Sequence, residues 1–355
     1  MKNPNDDSWW DYYSDQPYVL DKNDKPRITH NSISESIKTL ATLVGLSPAL
    51  IWRYFMLRPT PSAHSIKDFA GLSISPNPKH RNQIIEMIDE LNVKQLLIRI
   101  PAWKSQQIDD YINFAESFGE HQILVNILQN RQSVIDPDRW QAQVNSIIGA
   151  CRTFTDTFQI GNAINRSKWG CHTTADYFVL QKKVNELRSQ FPDIKVLGSS
   201  VIDFEPLSTL RTLINNQTYQ LDGCASLLYV NRRLSPYNKQ FGIFDLEKKI
   251  RLIYAILSLS NKSEKKLWIT ETNWPLLNTR PYTPNSGNPR STVDERTQAE
   301  FLKQYFQIAY HTGMVEKVYW WQLINPGYGL VDSRAKALRK MPSYYAFKNL
   351  LTDGF

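Results

Sequence analysis

Glu271 is the residue of this sequence best placed to do chemistry. It follows the apolar segment Leu267–Thr270 in the run LWITETNWP and is trailed by Asn273 and Trp274, so a charge and an aromatic stacking surface arrive together. A carboxylate in that setting either caps a strand and pairs with a cation, or serves as a nucleophile of the kind that attacks an anomeric carbon. Two more acids, Asp203 and Glu205 in VIDFEP, are either solvated loop residues or the proton donor such a nucleophile needs. Other chemistries lack their patterns. The six histidines show neither HxH nor HExxH spacing, the three cysteines form no CxxC pair, and neither a GxSxG elbow nor a GxxxxGK[ST] loop occurs. No metal and no cofactor is expected.

A carboxylate at the end of a strand works only if a scaffold holds it there. From residue 67 onward, short β-branched or apolar runs alternate with stretches of helical spacing, the pattern of repeated βα units around a parallel sheet. Eight units can be counted. Their strands begin at Lys67, Val93, Gln122, Thr157, Ile194, Gly223, Lys266 and Val315. Between the first two, RNQIIEMIDEL sets Ile84, Ile85, Ile88 and Leu91 on one helical face. Later helices are expected over Glu300 to Tyr310 and in MPSYYAFKNLL. Eight strands with eight crossover helices predict an α/β fold of the (β/α)8 barrel type over residues 67–355, in preference to an open doubly wound sheet, whose GxGxxG turn is missing. Residues 1–66 lie outside the repeat as an aromatic-rich extension with Trp9, Trp10, Tyr12, Tyr13 and Tyr18 and a helix around Ile37 to Leu57. No Gly/Ser-rich linker separates the two parts. In such barrels the acting side chains sit at the C-terminal strand ends, which is where Glu271 falls.

With the strands laid out, the run ITETNWP resembles the nucleophile strand of the clan of retaining glycoside hydrolases built on (β/α)8 barrels, with its cellulase-like, β-xylosidase-like and iduronidase-like families. LNVKQLLIRIPAW resembles the second-strand motif of the cellulase-like members, which implies that Arg99 lies beside the nucleophile. Tyr229 in LLYVN matches a residue that orients the nucleophile, and Trp321 in VYWWQL matches the tryptophan that floors the sugar site. Its neighbour Trp320 is assigned to the core. The resemblance further implies that Asn162 and Asn165, which flank the end of strand four, contact the sugar. At that strand end the clan carries Asn-Glu, the glutamate being the general acid/base, whereas this sequence reads QIGNAINRSKWG with Ala163 in the acid's place. Alanine donates no proton. Three explanations stand: Glu205 or Asp203 replaces the acid, the leaving group needs none, or the barrel binds glycan without cleaving it.

The expected function is therefore that of a glycoside hydrolase-like protein with Glu271 as nucleophile, held by Arg99 and Tyr229. The alternative is a non-catalytic carbohydrate-binding pseudo-glycosidase of glycan or cell-envelope polysaccharide metabolism. The loops that follow the strands carry Arg166, Lys168, Arg232, Arg233, Lys239, Arg280 and Arg290, which raises the hypothesis of an acidic or phosphorylated saccharide.

Composition agrees with a globular chain: of 355 residues 41% are apolar and 12% aromatic, enough for a large core. The net charge of +8 is spread through mixed stretches such as NKSEKK and DLEKKIR, without an RNA-binding signature, so no nucleic-acid partner is expected. MKNPNDDSWWDYYSDQ lacks the basic start and apolar run of a secretory signal, and with few cysteines a cytoplasmic location is expected. Leu40 to Leu57 is interrupted by Gly45, Ser47, Pro48 and Arg53, so a buried or docking helix is the better reading than a membrane contact.

Overall fold

The computed structural model describes residues 9–20, 33–284 and 291–355. Each predicted unit contributes one strand: β1 (Ala70–Ile74), β2 (Gln95–Pro101), β3 (Gln122–Leu128), β4 (Thr157–Ile160), β5 (Lys195–Ile202), β6 (Gly223–Leu227), β7 (Leu267–Thr272) and β8 (Lys317–Trp320). They close into a parallel barrel, sealed where Val318 pairs with Ala70 and Trp320 with Leu72. The fold is a (β/α)8 barrel. Its strands are buried on both faces, which is why they read as nearly continuous apolar runs rather than as alternating ones. In β2 the outward side chains Leu96, Ile98 and Ile100 join the large core shared with the surrounding helices, while Leu97 points inward to a small layer with Leu124, Leu197, Ala225 and Tyr319. Arg99 has the parity of Leu97 and so faces the barrel axis at the strand's end.

The same alternation applied to β7 would send Glu271 the wrong way, since Leu267 and Ile269 both face the helices. A bulge corrects this. Val318 pairs with Ile269 and Trp320 with Thr272, so Thr270 and Glu271 together lie opposite the single inward residue Tyr319. The extra residue turns Glu271 into the barrel.

Every strand is shorter than its sequence run, and in two of them the local cause is plain. Ser65 caps a helical turn over Ile66–Phe69 by accepting from the Asp68 backbone N–H, so β1 starts at Ala70 rather than Lys67. β4 stops at Ile160 because Gly161 adopts a φ of +80° and leads the chain out of the sheet. The segment that leaves, Asn162 to Gly170, ends in a second such glycine. Gly170 has a φ of +99°, and a Cβ there would lie 2.3 Å from the Asn130 carbonyl carbon, so this loop packs down on the one after β3 only with glycine. The helix after β1 spans Arg81–Leu91, with Met87 rather than Ile85 completing the buried face. The late helices run over Glu295–Thr312 and Pro342–Asp353.

The N-terminal part uses the barrel in two places. The helix Ile33–Met56 lays Leu43, Leu46 and Leu50 on the core, with Leu57 just beyond it. Its other face leaves Ile37, Leu40, Val44, Ile51, Trp52 and Phe55 exposed. Among the described residues no helix is long and apolar enough to cross a membrane. Residues 9–20 form a strap over the C-terminal mouth, where two-residue strands Trp10–Asp11 and Gln16–Pro17 pair antiparallel. Trp9 and Trp10 pack edge-to-face on Trp103, and Trp10 on Trp169 as well. The loop after β8 holds the strap from the far side: the Tyr328 hydroxyl donates to the Ser14 carbonyl at 2.9 Å and Asn325 Nδ2 to that of Tyr13 at 3.3 Å.

Candidate active site

At the C-terminal mouth, beneath the strap, lies a cavity of about 640 Å³ whose wall includes Glu271. The carboxylate is only 7% exposed and is held from two strands. Arg99 Nη2 at the end of β2 donates to Oε2, and the Tyr229 hydroxyl, just past β6, donates to Oε1. Tyr229 and the inward Leu227 have one parity, so β6 aims the phenol at the axis without any irregularity. Burial, with the Glu271 charge next to it, pushes the Tyr229 hydroxyl well above its usual range, so it stays a donor. The Arg99 guanidinium lies 3.4 Å over the indole of Trp321, which also lines the cavity. Arg233 covers the Tyr229 ring at 3.1 Å and donates to the Asn273 carbonyl. A carboxylate fixed by a guanidinium and a phenol, with its surroundings enclosed by indoles, is preorganised to present its oxygens in one orientation.

Other expected residues sort into two groups. Asn165, Arg166, Arg232, Asp203 and Glu205 line the cavity along with Glu271. Arg166 clamps both acids of the β5 loop, at 2.8 Å from Asp203 and 2.5 Å from Glu205, and Asn165 Nδ2 donates to Glu205 at 2.7 Å. Their charges are therefore spent largely on each other. Asn162 and Trp274 stand apart from the cavity. Asn162 is buried behind its wall, its side chain accepting from Asn126 Nδ2 at 3.0 Å and its backbone N–H and carbonyl bonded to the side-chain amide of Gln129. Trp274 is 0% exposed, stacks on Trp320 at 6.0 Å and donates its N–H to the Leu234 carbonyl. It is a core residue and offers no face to a sugar; the parity shift that turns Glu271 inward leaves it outside the barrel. Among the expected loop cations Lys168 lines the cavity, Lys239 and Arg280 are not part of its wall, and Arg290 lies outside the described residues. Among the described residues no three His, Cys, Asp or Glu side chains gather as a metal site would require.

Ala163, in the place where the resemblance puts an acid, is fully buried among Trp10, Leu128, Trp169, Leu227 and Tyr229. The strap's own tryptophan has taken the space. Ala163→Glu should therefore lower stability by roughly 2–4 kcal/mol, through overpacking and an unpaired buried carboxylate, without raising hydrolysis. Thermal unfolding and glycosidase assays check this; a stable variant with gained turnover would show that the cluster admits the acid.

Sequence reasoning passed over the strap itself. Asp15, Gln16 and Ser14 line the cavity, as does Tyr328. Arg99 Nη1 donates to the Asp15 carbonyl at 3.4 Å and lies 3.7 Å from its carboxylate, while Lys168 Nζ donates to Gln16 Oε1 at 2.5 Å and to the Pro17 carbonyl at 3.1 Å. Burial lowers the Lys168 ammonium to about 7 against the opposing pull of Glu271 and Asp11. The aromatic density of SWWDYYSDQP was the one available signal, and it pointed to packing rather than to the acid within it.

No protein-family model and no curated protein matches the chain. Solved structures do. The family 1 β-glucosidase from Thermotoga maritima superimposes with a TM-score of 0.59 at 11% identity, over 84% of this chain and 99% of that one. An arabinofuranosidase gives 0.59 at 13% identity, over 84% and 72% of the two chains. A family 39 glycoside hydrolase from the gut symbiont Bacteroides cellulosilyticus WH2 gives 0.57 at 14% identity over 82% of this chain, which spans only 65% of that enzyme's length. This chain has the (β/α)8 barrel fold that these glycoside hydrolases share.

Proposed function

We propose that this protein cleaves a glycosidic bond in a saccharide, with Glu271 as nucleophile. The observation that carries the proposal is the double grip of Arg99 and Tyr229 on one buried carboxylate that faces a cavity at the C-terminal mouth of the barrel. Arg99 pairs with one Glu271 oxygen, Tyr229 fixes the other, and Trp321, held under the Arg99 guanidinium, lines the cavity beside them. The barrel shared with the glycosidases above supports the same class of chemistry. The anionic-saccharide hypothesis loses Arg166, which already carries two carboxylates, and rests on Arg232 and Lys168 at the cavity wall. The absence of an acid at Ala163 favours the second reading, a saccharide-binding barrel without turnover.

A mechanism-based label separates the two. A 2-deoxy-2-fluoroglycosyl fluoride needs no general acid, because fluoride leaves unassisted as the carboxylate bonds to the anomeric carbon. Across gluco, xylo, manno and arabino reagents, mass spectrometry is expected to find the glycosyl adduct on the peptide that contains Glu271. Saccharide binding by calorimetry with no label and no turnover on any reagent would replace the hydrolase with the binding protein.

A further inference from the structure

We infer that Asp15, carried on the N-terminal strap, is the general acid/base that works with Glu271. The inference rests on the nucleophile assignment above and completes it. The fold removed the strand-four position from use, since Ala163 is sealed under Trp10, and the segment that sealed it brings a carboxyl of its own to the cavity. Asp15 and Glu271 stand on the same guanidinium, one at Nη1 and the other at Nη2. A shared guanidinium brings two carboxyls close to one another, and a retaining pair acts with its carboxyls roughly 5–5.5 Å apart. The two acids of the β5 loop are tied to Arg166, whereas the Asp15 carboxyl accepts from the neutral amide of Gln322, at 3.2 Å, and stands off from Arg99 at 3.7 Å.

The surroundings shift Asp15 toward its protonated form. Asp15 is turned into the mouth by a left-handed backbone, with φ of +48°, a conformation that Asp enters at modest cost. About a third of its side chain (32%) is exposed, and Asp15 lines the Glu271 cavity as well as two smaller pockets beside the strap. Burial raises its pKa, Arg99 opposes this, and the Glu271 charge raises it further. The groups facing it are Arg99 and Lys104 from β2 and the segment after it, Tyr111 from the next helix, Glu271 from β7, Tyr328 from the loop after β8, and Asp11 within the strap. One ionised and one protonated carboxyl is the division of labour that glycoside cleavage requires.

In the first step a Glu271 oxygen bonds to the anomeric carbon, the bond from that carbon to the leaving oxygen breaks, and the Asp15 proton passes to the leaving oxygen as the free alcohol departs. In the second step the Asp15 carboxylate takes a proton from water, the hydroxide oxygen bonds to the anomeric carbon, and the Glu271 carboxylate is released. Both residues return to their starting states.

The test compares phenyl and 2,4-dinitrophenyl glycosides of glucose, xylose, mannose and arabinose, because only the phenyl leaving group needs a proton. In Asp15→Asn, hydrolysis of the phenyl glycoside should fall by roughly 10²- to 10⁴-fold, and the burst of dinitrophenol should survive. The alkaline limb of the wild-type pH–rate profile should vanish in the same variant. For Asp15→Ala, added azide should restore turnover of the dinitrophenyl substrate and yield a glycosyl azide, a rescue that only a folded site permits. If wild type releases phenol, Glu271→Gln does not, and Asp15→Asn matches wild type on the phenyl glycoside, this inference alone is overturned. It is overturned equally if Lys168→Gln, rather than Asp15→Asn, shows the leaving-group-dependent loss. A wild type inert on every substrate overturns the nucleophile assignment and this inference with it.

Discussion

In Glu271→Gln, dinitrophenol release falls by at least about 10⁴-fold while the barrel melts within a few degrees of wild type. The amide keeps the volume of the side chain, and its one oxygen can accept from Arg99 while its NH2 donates to the Tyr229 oxygen, so packing is nearly unchanged. On the proposed mechanism what disappears is the negative charge that would bond to the anomeric carbon, and removal of a covalent nucleophile costs on the order of 10⁴ to 10⁶ in rate in hydrolases where it has been measured. Stopped-flow absorbance at saturating substrate reads the effect directly. Turnover within about tenfold of wild type would assign the chemistry to another residue.

The second large effect falls on stability. Arg99→Met removes the cation from beneath two carboxyls and leaves Glu271 buried with Tyr229 as its donor. Breaking a buried ion pair from one side typically costs about 3–5 kcal/mol, because the stranded charge cannot recover its hydration. In a chain this long that is a loss of roughly 4–7 °C in melting temperature. The methionine fills the space over Trp321 without supplying charge. Adding Glu271→Gln to Arg99→Met should recover more than half of the loss, since the double variant no longer buries an unpaired carboxylate. Equal stabilities for the single and double variants would mean that the pair contributes through packing and not through charge.

How far the sequence carried this reading varied with the kind of force involved. The eight strands were legible because each is buried on both faces, and burial writes long apolar runs into the chain. Glu271, Arg99, Tyr229 and Trp321 were legible because residues at strand ends of a closed barrel converge whatever their separation in sequence. Trp274 was misread: aromatic character looks the same whether a ring faces a ligand or Trp320, and only the sheet's parity separates the two. Asn162 failed for a related reason, since β4 ends before it and the chain bends at Gly161. Asp15 had no signal of its own. Its place over the mouth depends on contacts with Arg99, Gln322 and Lys168's loop, each remote in sequence, and long-range docking of a short segment leaves no periodic trace.

The extra residue in β7 has a bearing on how such sites arise. Pleated chains assign sides by odd and even count, so which amino acid a gene encodes and where its side chain is delivered are separate matters. Here a single uneven step in the ladder against β8 delivers a carboxylate to the cavity at the barrel mouth that strict alternation would have buried among helices. Insertions and deletions in a strand are thus a route to chemistry independent of substitution, and aligning this chain by residue identity alone would miss the step that made its candidate nucleophile reachable.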